Sequence, residues 1–140
     1  MRKLLISLVI IFSLIAPVQV HAEFKVTTPS GWFRQDSGST MVIKSLDSNA
    51  SVAVAFNPLG GADFTDIVER LYIQMKGTGL AQDSDGDYSF SFTHNSGAEG
   101  VAMISESDGH YVVLTLSGFQ DDEKIQNDMN IILDSVEWVD

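Results

Sequence analysis

The stretch 63–77, DFTDIVERLYIQMKG, sets the strongest limit on how this chain folds. Phe64, Ile67, Val68, Leu71, Tyr72 and Met75 recur at steps of three and four, which makes one stripe of an α-helix. Asp66, Glu69, Arg70 and Lys76 fall off that stripe. Asp63 is placed to cap the amino end, Asp66 suits the positive end of the dipole, and Lys76-Gly77 reads as a stop. A helix of this length is marginal alone in water. It needs an apolar sheet to lie on, and strand-like segments flank it on both sides.

Before the helix, 24–28, 41–46 and 51–56 read as strands. A Pro29-Ser30-Gly31 turn follows the first, and the polar stretch 35–39 reads as a loop. In 51–56, Val52, Val54 and Phe56 share one face and Ala53 and Ala55 the other, so both faces are expected to be covered. After the helix, 80–84, 87–94, 99–106 and 110–118 read as a meander. Asp85-Gly86 and Asp108-Gly109 have the composition of tight hairpin turns. A two-residue loop at Asp108-Gly109 places Met103 opposite Leu114, Val101 opposite Leu116 and Ile104 opposite Val113. Residues 121–136 read as a second helix with Ile125, Met129, Ile132, Leu133 and Val136 as its stripe, and Trp138 just beyond. No parallel βαβ rhythm appears. The expected class is α+β: a largely antiparallel sheet of about six to seven strands with a helix on each face, three layers in all.

Residues 1–22 have the form of a cleaved secretory signal. Arg2 and Lys3 precede an apolar run that is short for a membrane span, Pro17 breaks it, and Val20-His21-Ala22 is a small-x-small cleavage site. The expectation is a single exported domain over 23–140, periplasmic or secreted, without a stable membrane anchor after cleavage. The chain contains no cysteine, which excludes disulfides, thiolate metal sites and a lipid-modified cysteine. Removing Arg2 and Lys3 from the eight basic residues leaves six against nineteen acids, a net charge near −13. Such a surface argues against nucleic acid or an anionic bilayer as partner.

The opening segment 24–32, FKVTTPSGW, runs a strand into Pro-x-Gly-Trp. Together with the strand–helix–strand–helix order and the closing IILDSV, it resembles the PsbP-like family. That family includes the extrinsic photosystem II protein PsbP, a Ran-binding import factor and bacterial periplasmic or lipoprotein relatives. The resemblance implies an antiparallel sheet between helices and a role in binding another macromolecule. It does not imply an enzyme and carries no catalytic residue over to this chain.

Candidate sites are few. Asp83, Asp85 and Asp87 have the residue types of a calcium loop, but Tyr88 and His94 stand where an EF-hand needs Gly and Glu. A turn at Asp85-Gly86 is expected to splay the three carboxylates, leaving them weak metal candidates. His94 and His110 read as strand-end surface residues. Ser30 lacks a nucleophile-elbow context, and Gly60-Gly61 lacks the Lys-Ser/Thr of a phosphate loop. Trp32 and Trp138 lie at element ends and are the interface candidates. No cofactor motif is present.

The expected function is a non-catalytic binding module or accessory subunit for an unidentified protein of the cell envelope. Two alternatives stand beside it. One is a small hydrolase using Glu99 and Glu106, which an odd spacing sends to opposite faces of one strand. The other is a binder of small apolar ligands between helix and sheet.

Overall fold

The computed structural model describes residues 23–95, 97–118 and 122–139. The signal-peptide reading of 1–22 lies outside them. Nine strands and two helices occur among the described residues: β1 (Glu23–Lys25), β2 (Trp32–Ser37), β3 (Thr40–Ser45), β4 (Ser51–Pro58), α1 (Phe64–Gln74), β5 (Thr78–Gln82), β6 (Tyr88–Thr93), β7 (Glu99–Ser107), β8 (His110–Ser117), α2 (Glu123–Ser135) and β9 (Glu137–Val139). Seven strands form one antiparallel sheet in the order β2-β3-β4-β8-β7-β6-β5, and β1 pairs with β9 separately.

The hairpin register follows from the turn. Asp108 and Gly109 both have positive φ, 48° and 77°, so Ser107 pairs directly with His110. Met103 then faces Leu114, Val101 faces Leu116 and Ile104 faces Val113, as the pattern of the two strands predicts.

The two helices lie on opposite faces and over different halves of the sheet. From α1, Val68 is buried against Phe90, Ala102 and Ile104, with Phe64, Leu71, Tyr72 and Met75 packed around it. Those partners belong to β6 and β7. From α2, Met129 and Ile132 are buried with Val136 against Met41, Ile43, Val52 and Val54 of β3 and β4, and against Leu114. Alternation along the strands makes this possible, because Met103 and Ile104, or Val113 and Leu114, point to opposite sides. The result is an α+β sheet with a helix on each face.

Three sequence readings change. β2 is a strand where a polar loop was expected at 35–39; it is an edge strand, and Arg34 and Asp36 pair along it at 2.9 Å. The 24–28 segment pairs only over Glu23–Lys25, with β9, a short strand beyond the expected second helix. Ala53 and Ala55 are half-buried instead of covered, because α1 sits over the far half of their face.

Both helices are capped as their acids suggest. The Asp63 carboxylate accepts from the Thr65 N–H at 2.8 Å. That of Asp122 accepts from Lys124 and Ile125 N–H groups at 2.9 and 3.2 Å.

Candidate functional site

Among the described residues, three places that bring polar groups together stand out. The first is the Pro-x-Gly-Trp element. Trp32 N–H donates to the Pro29 carbonyl at 3.1 Å, and Gly31 takes φ 87°, the positive value that a type II turn requires at that position. The turn delivers Trp32 to the start of β2, where it is 8% exposed. Its indole N–H donates to Asp128 Oδ2 at 2.9 Å, and Lys124 Nζ donates to the same oxygen at 3.0 Å. Burial pushes the Asp128 carboxyl up. The hydrogen bonds from Lys124 and Trp32, with the ammonium charge, outweigh burial and hold it below the ordinary carboxylate value. The bond to Asp128 raises Lys124 in turn. Trp32 therefore latches α2 to the sheet. Nothing is described of the Trp138 side chain.

Asp128→Ala leaves the buried indole N–H without an acceptor. It is expected to cost about 2 kcal/mol at neutral pH in a urea melt. Because the folded carboxyl lies below its unfolded value, this stabilisation is present above the unfolded pKa and fades as pH falls through the folded one. The gap between parent and variant should narrow in the acid range.

The second place is the β5–β6 loop. Asp83 N–H donates to the Asp87 carbonyl at 2.9 Å, and Gly86 N–H to the Asp83 carbonyl at 3.1 Å. Asp83 Oδ1 accepts from the N–H groups of Asp85 and Asp87 at 2.9 and 3.0 Å. The turn is thus 83–87, not the two residues Asp85-Gly86, and this corrects the expected splay. A ligand oxygen from each of Asp83, Asp85 and Asp87 lies within 4.8 Å of the others. Asp87 is 6% exposed. These three are the residues that could hold a cation. The loop borders a cleft of about 490 Å³ that also takes in Asp63, Thr65 and Glu106.

The third is a cleft of about 580 Å³ at the carboxyl end of α1, lined by Gln74, Met75 and Lys76 and by the end of β6 with its following loop. The helix closes with the N–H of Gly77 donating to the Tyr72 carbonyl at 2.8 Å, a Schellman arrangement. Its left-handed position, φ 53°, is held by Lys76. Gly77 has a different reason to be glycine: a Cβ there would meet the rings of Phe90 and Tyr72 at 2.6 Å. A side chain at left-handed φ costs about 1 kcal/mol against glycine. The sequence pattern had placed the stop at Lys76-Gly77 without showing which residue takes the strain.

The remaining candidates separate. His94 follows β6 at the Glu99 end of β7, whereas His110 pairs with Ser107 at the other end, so about 27 Å of strand lies between them. The His110 ring stacks on Phe56 at 4.6 Å, with 13° between the planes. Glu99 and Glu106 are both exposed and point to opposite faces. Ser30 is an exposed turn residue, and Gly60-Gly61 forms the loop before α1. No helix among the described residues is long and apolar enough to cross a membrane.

The class is an α+β domain whose seven-stranded antiparallel sheet is flanked by two offset helices. Within that class the fold is PsbP-like. The crystal structure of LpqN, involved in cell envelope biogenesis of Mycobacterium tuberculosis, matches over 90% of this chain and 87% of its own, at 13% identity and a TM-score of 0.50. The solution structure of cyanobacterial PsbP (CyanoP) from Synechocystis sp. PCC 6803 matches over 89% of this chain and 96% of its own, at 14% identity and a TM-score of 0.51. No family model matches the chain, and no curated protein matches it in sequence.

Proposed function

We propose that this chain is an exported, non-catalytic binding module that recognises a protein of the cell envelope through the open half of one sheet face. The observation that carries the reading is the offset of the helices. On the α1 side, Phe33, Val42, Ala53 and Ala55 lie outside the α1 cluster and are half-buried. Register makes them contiguous: Gln35 faces Val42, Val42 faces Ala53, and Ala53 faces Thr115. The corresponding open half on the α2 side is more polar: half-buried Val101 and exposed Ala81 lie there among Ser89, Ser91 and Thr93. The first surface, with Phe33, Val42, Ala53 and Ala55, has the larger apolar centre with the polar rim typical of a protein interface. LpqN, which shares the fold, is involved in cell envelope biogenesis, and that supports the setting. The acidic charge of 23–140 supports a protein over nucleic acid as partner.

Photoreactive residues at the exposed Gln35 or Lys44, expressed in the source organism, should crosslink to one discrete envelope protein. The same residue at Ser91 should not. Equal labelling from both faces, or none from Gln35 and Lys44, would refute the reading.

A further inference from the structure

We propose that the cleft at the carboxyl end of α1 binds a small organic anion, a carboxylate carrying a short apolar body. Its lining divides by chemistry. Met75 and Phe92 are its apolar members; Gln74, Thr93 and Asn95 supply amides and a hydroxyl; Lys76 supplies an ammonium and His94 an imidazole. Among the described residues no acid is in that lining, although the chain has nineteen acids and only eight basic residues. About 580 Å³ is the size of cleft that takes a small ligand.

The position of Lys76 is the second observation. Lys76, like Lys25, Lys44 and Arg70, makes no ion pair among the described residues; of these four, it is the one that lines the cleft. It also occupies the one strained backbone position of the helix end, φ 53°, where glycine is the usual residue. A lysine near a helix carboxyl end favours the macrodipole. That gain is open to any residue of the last turn, where no basic residue stands, and it needs no left-handed φ. At this position the ammonium belongs to a residue of the cleft lining. The negative end of α1 opposes an anion, so a cation is required there before one can bind.

The test uses 4-phenylbutyrate against its neutral amide, followed by amide-resolved NMR on the 23–140 protein and variants. The acid should shift Lys76, Thr93, His94 and Asn95, and the amide should bind at least tenfold more weakly. Lys76→Gly removes the charge and the strain together. It should raise the melting temperature by about 3–6 °C while lowering affinity for the acid at least tenfold. Lys76→Arg should keep the affinity within about threefold. Equal binding of acid and amide, shifts located away from the cleft, or undiminished affinity in the stabilised Lys76→Gly protein would each overturn the assignment. In that case Lys76 is a helix terminator only.

Discussion

Gly118→Ala is expected to lower the stability of the domain by about 2–5 kcal/mol, the left-handed strain and the overpacking adding together. Gly118 follows β8 with φ 74°, a value that a side chain adopts only under strain. The space around it is also closed. A Cβ there would lie 2.5 Å from the Asn49 carbonyl oxygen and 2.8 Å from the Ala50 Cα, both backbone atoms of the β3–β4 turn. That turn cannot retreat freely, because the Ser45 N–H donates to the Ala50 carbonyl at 3.0 Å and Ala50 is buried. Gly38→Ala is the control. Its φ of 60° carries the same strain, but nothing lies within 4 Å of the added carbon. It should cost only about 1–2 kcal/mol. A urea titration should show the Gly118→Ala midpoint displaced well below that of Gly38→Ala, with the slope unchanged. Equal midpoints would mean that the β3–β4 turn yields and the close approach has no energetic weight.

How far the sequence anticipates this fold depends on how local each determinant is. The two helices were readable because their stripes repeat every turn and their caps sit within three residues. The β7–β8 register was readable because Asp108-Gly109 fixes a two-residue loop, which leaves one alignment. β2 was hidden because WFRQDS is mostly exposed at a sheet edge and carries little alternation. The β1–β9 pair was hidden because it joins segments more than a hundred residues apart over three residues each. The helix offset, on which the proposed interface rests, has no signature in either helix. It follows from which strands the chain lays beside one another after each turn.

The site residues divide the same way. The three loop aspartates were visible, but their convergence was not. It turns on whether the reversal falls at Asp85-Gly86 or over 83–87, and Asp83 decides that by accepting two backbone N–H groups. Trp32 was visible as a large aromatic residue at an element end. Its partner Asp128 lies 96 residues away and could only be found in three dimensions. Lys76 reads in the sequence as an ordinary charged helix end, and only its φ of 53° sets it apart.

Ile132→Ala is expected to destabilise the domain by about 3 kcal/mol. Ile132 is fully buried between α2 and the sheet, and removing its outer carbons leaves a cavity among Met41, Ile43, Val52 and Val54 that the strand backbones cannot close. Ile73 is the contrast on α1. It is 68% exposed on the side away from the sheet, and Ile73→Ala should stay within about 0.5 kcal/mol of the parent. The more searching experiment adds Ile104→Val, worth about 1 kcal/mol alone, in the α1 cluster. The sheet backbone separates the two clusters, and among the described residues no side chain belongs to both. The double variant should therefore lose the sum of the two, to within about 0.5 kcal/mol. A larger departure in a denaturation cycle would mean that the two faces share one packed core, and the two-sided architecture would then fail as an account of what holds the domain together.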